Sequence, residues 1–293
     1  MTPKVLVVGM DGLRFDRLLA ADPPVLRGLM ESGAYGTSLL PYGKHRAKRT
    51  ERPGAVVAEP GRDPITARTD SGPGWSSIAT GVWPDKHGVV DNGFAGADYT
   101  KYPSFLSRAQ EAGHTTFAIV SWDLLGVHGT FAESLHARIV LDGERDGYVV
   151  LDAGVAETAA RVLADEGPDA SFVYFGGTDE IAHEQGPLCD DYQAAILSQD
   201  AQLGLLLEAV RGRGTYADES WTVIVTTDHG HLDKGGHGGD TDEERGTFVI
   251  VSPCAASFGA PPRLVDVAPT ALAVLGVPID PAWNLDGTPL TAR

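Results

Sequence analysis

Cysteine is nearly absent from this chain of 293 residues, which has only Cys189 and Cys254. They lie far apart in sequence and form no metal-spaced pair, so a disulfide framework and a cysteine-based zinc site are both excluded. Long apolar runs are missing too. The opening MTPKVLVVG is too short for a membrane span or a secretory leader and leads straight into a strand, so the expectation is a cytoplasmic chain with no membrane partner. Positive charge is also in deficit, with 23 Lys and Arg against 40 Asp and Glu and a formal net charge of −17. That balance excludes a general binder of nucleic-acid polymers, which hold phosphate backbones through a surplus of Lys and Arg. An anionic substrate would need local positive charge, from metal ions or from the one basic cluster, Lys44, His45, Arg46, Lys48, Arg49 and Arg52.

What is present is a regular alternation. Lys4 to Gly9, KVLVVG, reads as a buried strand of a mostly parallel sheet. Pro23 to Gly33 has helical spacing, with Val25, Leu26 and Leu29 on one side. Phe105 to Ala112 reads as helix, Thr115 to Val120 as strand, Asp152 to Ala164 as an Ala-rich helix and Ser171 to Phe175 as strand. Leu188 to Arg211 is the longest helical pattern; Trp221 to Thr226 and Thr247 to Val251 are strands, and Asp266 to Leu275 is a last helix. The alternation predicts a doubly wound α/β fold, a mostly parallel central sheet with helices on both faces. With no internal repeat and no linker, residues 1–293 read as a single catalytic domain. Tyr42 to Arg68, aperiodic and carrying the basic cluster, reads as a flap or insertion.

The stretch TDSGPGWSSIATGVWPDKHGVVDN, Thr69 to Asn92, places Ser71 at the start of a short helical run that breaks at Gly81. Backbone N–H groups at a helix start favour a nearby anion, so a Ser71 alkoxide or a phosphate on it would be stabilised there. A helix cap is the plain alternative for Ser71.

Metal-capable residues follow the strands. Asp11 comes just after the first one, at the edge where open α/β sheets bind ligands. Asp179 and His183 form a D-x-x-x-H pair that shares a face if helical. Asp228 and His229 follow another strand, and His237 stands among glycines in KGGHGGD. His87 and His231 read as structural residues or as supports of the ligands. Asp11, Asp179, Asp228, His183, His229 and His237 offer two three-ligand sets of mixed oxygen and nitrogen donors, which suit catalytic Zn²⁺ or Mn²⁺ better than Ca²⁺ or Mg²⁺.

The ordered series DGLR at Asp11, S-x-P and TG-x-x-P-x-x-HG-x-x-x-N from Ser71 to Asn92, D-x-x-x-H at Asp179, TDHG at Thr227 and GGHG at Gly235 resembles the alkaline phosphatase superfamily. Its type I phosphodiesterase and nucleotide pyrophosphatase branch is the best match, and DVAPTALAVLGVP near the end resembles the last helix of that group. The resemblance implies an alkaline phosphatase-like fold and a catalytic nucleophile at Ser71. Asp179, His183 and His237 would hold one divalent ion, and Asp11, Asp228 and His229 the other, which Ser71 also contacts. Asn92 would bind a non-bridging phosphoryl oxygen of the substrate.

The implied activity is metal-dependent hydrolysis of a small phosphorylated substrate, with a nucleotide as the candidate, through a phosphoseryl intermediate. Two divalent ions, Zn²⁺ first and Mn²⁺ second, are the implied cofactors. A phosphomonoesterase or phosphonate hydrolase is the alternative, and a non-catalytic phosphate-ligand binder a more distant one. Two departures stand out. Gly72 and Gly74 replace the aromatic residue and asparagine that usually follow the nucleophile, which predicts open space there, and Trp75 stands where sulfatases carry arginine, which argues against a sulfatase.

Overall fold

A strand that is apolar at every position is stable only if both of its faces are covered. The first strand meets that condition in the computed structural model, which describes residues 1–43, 65–254 and 257–290. Here β1, Thr2–Met10, is buried from Lys4 onward. It is followed by β2 (Ala34–Leu39), β3 (Tyr42–Gly43), β4 (Ile65–Thr66), β5 (Thr116–Val120), β6 (Ala137–Val140), β7 (Ala170–Phe175), β8 (Glu219–Thr226) and β9 (Gly246–Ser252). Seven of these form one sheet in the order β2-β9-β8-β1-β7-β5-β6. β8, β1, β7, β5 and β6 are parallel, whereas β9 runs antiparallel to β8 and β2 antiparallel to β9. The expected doubly wound, mostly parallel sheet is therefore present, with β1 between β7 and β8.

Side chains alternate faces along a strand, and each face has its own core. Val5 and Val7 pack with Trp75, Ile78, Phe105 and Leu272, from the helices Ser71–Thr80, Phe105–Glu111 and Val267–Val274. Leu6, Val8 and Met10 pack on the opposite side with Leu26, Val155, Ile196 and Leu203, from the helices Pro24–Ser32, Tyr148–Asp165 and Asp190–Arg211. Among the described residues no helix is long and apolar enough to cross a membrane.

Several elements have no counterpart in the sequence reading, among them the short helices Phe15–Ala21, Leu124–Val127, Gly143–Asp146 and Asp242–Arg245 and the strands β2 and β6. β2 and β6 are the outer strands of the sheet and are only partly buried, so they carry no continuous apolar run. The Ala-rich helix starts at Tyr148, one turn earlier than its composition suggests. β3 and β4, the two ends of the 42–68 segment, pair as a separate parallel ribbon. Residues 44–64, and with them the basic cluster from Lys44 to Arg52, lie outside the described residues.

Helix Pro24–Ser32 is preceded by Pro23, which offers no capping side chain. Its first N–H groups are met instead from the long helix. Buried Asp200 accepts from Val25 N at 3.0 Å and from Leu26 N at 2.7 Å. Asp200→Ala is expected to leave these donors unpaired and to cost about 1–2 kcal/mol, read from chemical denaturation. An unchanged midpoint would mean that water replaces the carboxylate.

Candidate active site

Three neighbouring parallel strands end at one edge of the sheet, and each delivers a carboxylate there. Asp11 follows β1 directly, Asp179 follows β7 after Gly176 and Gly177, and Asp228 with His229 follows β8. His237 joins them from a glycine-rich loop pinned to the chain before Ser71. Its Nδ1 donates to Thr69 O at 2.7 Å, and Gly238 N donates to Thr69 Oγ1 at 2.9 Å. Gly238 has φ +97°, a backbone conformation that favours glycine.

Asp11, Asp228 and His229 form one buried set. Trp75 Nε1 and the Tyr174 hydroxyl both donate to Asp11 Oδ2, at 2.8 and 2.6 Å. Gly12 N donates to Asp228 Oδ1 at 3.2 Å. The other oxygens, Asp11 Oδ1 and Asp228 Oδ2, are buried with no hydrogen-bond partner among the described residues. They lie 3.5 and 3.3 Å from His229 Nε2. His229 Nδ1 donates to Gly230 O at 3.1 Å, which leaves the Nε2 lone pair toward the two oxygens.

Burial, and after it the Asp179 carboxylate, pushes Asp11 up to about 7; burial and the Asp11 and Asp179 charges raise Asp228 well above its ordinary value. Burial and His237 hold His229 well below its usual value, in the neutral ligating form. Two orphaned carboxylate oxygens and an imidazole lone pair meeting at these separations suit one ion bound at roughly 2.0–2.2 Å. The set fits a divalent metal.

Asp179 and His183 lie on the helix Gly177–Gln185. His183 Nε2 is 3.4 Å from Asp179 Oδ2 and 2.9 Å from His237 Nε2, and His237 Nε2 is 3.8 Å from Asp179 Oδ1. The three residues expected to share an ion are thus brought together, with His183 the most exposed. His231 adds to them. It is fully buried, its Nε2 donates to Asp179 Oδ1 at 2.7 Å, and it groups with Asp179, His229 and His237 as a possible ligand set. Burial works against the charge of Asp179, but the His231 hydrogen bond and the nearby imidazoles outweigh it and lower the pKa. For His237 burial is again opposed, here by the hydrogen bond to Asp70 and the charges of Asp179 and Asp70, which raise it to about 9. His87 stands apart. It receives Val89 N, contacts Ser77 Oγ, and burial pushes it down to about 3.

Ser71 is the first residue of its helix, and its Oγ is 3.1 Å from His229 Nε2. Gly72 N donates to Asn92 Oδ1 at 2.7 Å, which leaves the Asn92 Nδ2 group as a donor at the cavity. The cavity, about 370 Å³, is lined by Asp11, Ser71, Asn92, Asp179, His183 and His237 together with Trp122, Tyr148, Glu144, Glu180 and Glu184.

The glycines after Ser71 do not open space. A Cβ on Gly72 would lie 2.8 Å from Asp91 O, and one on Gly74 would lie 2.7 Å from Asp228 Cβ. The volume expected to be free is occupied by the Asn92 loop and by Asp228, so the glycines permit close contact instead. Sequence reasoning also passed over Trp75 and Tyr174 as supports of Asp11. Trp75 could have been found from its place one helical turn after Ser71. Tyr174 is one of several aromatic residues in β7 and carried no such signal.

A family model for type I phosphodiesterases and nucleotide pyrophosphatases matches residues 66–234. The catalytic subunit of GPI ethanolamine phosphate transferase 3 from Mus musculus is 28% identical over 142 residues, which is 46% of this chain but 12% of that protein. Among solved structures, murine ectonucleotide pyrophosphatase/phosphodiesterase 5, in an inactive threonine-to-alanine form complexed with AMP, superposes with a TM-score of 0.64 at 16% identity, covering 99% of this chain and 97% of that one. Phosphonoacetate hydrolase from Sinorhizobium meliloti 1021 has a TM-score of 0.52 at 20% identity, covering 78% and 57%. At these identities the two structures speak to the fold alone.

Because Gly74 lies against Asp228, Gly74→Ala should push the Ser71 helix away from the first set, at a cost of about 1–3 kcal/mol. Urea denaturation and metal content would be measured together. Wild-type stability with wild-type metal content would show that this contact does not position Asp228.

Proposed function

The chain belongs to the type I phosphodiesterase/nucleotide pyrophosphatase family, and we propose that it hydrolyses phosphoric diesters or nucleotide pyrophosphates through a phosphoseryl intermediate. The observation that carries this reading is the placement of Ser71 Oγ 3.1 Å from His229 Nε2, beside the two orphaned oxygens of Asp11 and Asp228. A free serine hydroxyl is a poor nucleophile and needs its alkoxide stabilised. Asp11, Asp228 and His229 would hold one divalent ion, and Asp179, His183 and His237 a second, with His231 orienting Asp179. Zn²⁺ is the first choice and Mn²⁺ the second. Such ions supply Lewis-acid polarisation of the phosphoryl group and offset charge on the attacking and leaving oxygens.

The remaining steps belong to the protein's own groups. Ser71 Oγ passes its proton to solvent and attacks phosphorus; the Ser71 Oγ–P bond forms as the bond from phosphorus to the leaving oxygen breaks, and the leaving oxygen takes up a proton from water. Asn92 Nδ2 donates to a non-bridging oxygen and holds the phosphoryl group at the helix start. Water then cleaves the Ser71 phosphoester and restores the hydroxyl. The AMP complex of the murine relative supports a nucleotide as a ligand of this cavity. A second reading is transfer of the phosphoryl group to an alcohol instead of water, and it is favoured by the sequence match to an ethanolamine phosphate transferase.

The test uses purified protein with Zn²⁺ or Mn²⁺ on bis-p-nitrophenyl phosphate, p-nitrophenyl phosphate and a phosphonate ester, with and without a primary alcohol. Metal-dependent turnover, highest on the diester, is the expected result. Failure to turn over any of the three would end the proposal. Preference for the monoester or phosphonate would redirect it within the superfamily, and an alcohol-phosphate product would select transfer.

Ser71→Ala should retain both ions, because each keeps three side-chain ligands, and lose activity by at least about a thousandfold. If Ser71 only caps its helix, the loss would be about 1 kcal/mol of stability with activity largely intact. His237→Ala should lower metal content at one set while the other stays loaded.

A further inference from the structure

The helix that carries Asp179 and His183 begins at Gly177 after Gly176, and neither glycine can cap it with a side chain. Its leading N–H groups are met from another helix. Asp152, on Tyr148–Asp165 and only 2% exposed, accepts from Gly176 N at 3.0 Å on Oδ1 and from Gly177 N at 2.9 Å on Oδ2. The same Oδ2 accepts from Gln199 Nε2 at 2.9 Å. The contact is close enough to require glycine, since a Cβ on Gly177 would lie 2.8 Å from Asp152 Oδ2. A carboxylate at a helix start is favoured by the dipole and by the unpaired N–H groups, and here it is shielded from solvent.

The network continues to the other ligand set. Thr178 Oγ1, on the same helix, donates its one proton to Asp11 O at 2.6 Å and lies 3.2 Å from Gln199 Oε1. Thr178 and Gln199 are as buried as Asp152. The helix bearing Asp179 and His183 is therefore fixed at its start by Asp152 and tied through Thr178 to the backbone carbonyl of Asp11. Asp152 itself does not line the cavity.

We propose that Asp152 is a positioning residue for the metal centre: it holds the turn that aims Asp179 and His183, and Thr178 on the same helix ties that turn to Asp11. This rests on the reading of these residues as metal ligands. Asparagine at position 152 would present an amide donor to at least one of the three donors now satisfied, so Asp152→Asn is a stringent change of almost no volume. Thr178→Val is a milder one that removes only the hydroxyl tie from the same helix to Asp11 O.

The experiment measures Zn²⁺ affinity of the full chain by competition with a chromophoric chelator, alongside kcat, KM and the melting temperature of the metal-free protein. Asp152→Asn should weaken Zn²⁺ binding by about 10- to 100-fold and lower kcat with KM little changed, and Thr178→Val should do the same to a smaller extent. Wild-type Zn²⁺ affinity in both variants, with only a lower melting temperature, would reduce Asp152 to a structural cap and overturn the proposal. If Asp152→Asn does not fold, Thr178→Val decides between the same two outcomes. A wild-type chain that binds no Zn²⁺ would instead overturn the metal reading itself.

Discussion

Everything at the sheet edge depends on holding three carboxylates, Asp11, Asp179 and Asp228, in one largely water-free space. Burial raises the pKa of such groups, like charges brought this close add to it unless donors or a cation compensate, and Asp11 and Asp228 are driven upward first by burial and then by their neighbours. The protein supplies donors selectively. Trp75, Tyr174 and Gly12 engage one oxygen of Asp11 or Asp228 and leave the other, while His231 engages Asp179. A structure that only buried these acids would have satisfied all of their oxygens. The unsatisfied pair faces His229, and that selectivity is what fits the set to a divalent cation.

The topology makes this convergence possible. With β1 between β7 and β8, the loops that follow the three strands are neighbours by construction, although Asp11 and Asp228 are separated by most of the chain. Packing then sets the finer distances through residues that have no side chain. Gly74 brings the Ser71 helix onto Asp228, and Gly177 admits Asp152. Glycine thus acts here through close approach more than through flexibility.

Much of the sheet was legible in the sequence because continuous apolar runs such as that of β1 have only one stable environment. The outer strands β2 and β6 were not, since their stability comes from pairing with β9 and β5 and leaves a weak pattern in their own residues. The metal-capable residues could be named because each follows a strand or stands among glycines. Their supports could not. Asp152 looks like an ordinary polar position in an Ala-rich helix, and nothing local shows that its partners lie on β7's following turn and on the long helix. Gly72 and Gly74 were misread for a related reason: a missing side chain implies space in a sequence, whereas in a packed fold another group fills it.

The charge of the chain bears on how a phosphate ester would reach this site. At physiological ionic strength the screening length is about 8 Å, so a net charge of −17 spread over the surface acts weakly on a ligand already in the cavity. Local groups decide. Among the described residues no Lys or Arg lines the cavity, and Glu144, Glu180 and Glu184 do. Attraction for a phosphoryl group from the described residues therefore rests on ions that the Asp and His sets would hold, on Asn92 and on the start of the Ser71 helix. Glu180 and Glu184 follow Asp179 and His183 directly on one helix, so their charge opposes a phosphoryl group at this cavity and makes the cations that the Asp and His sets would hold the deciding attraction.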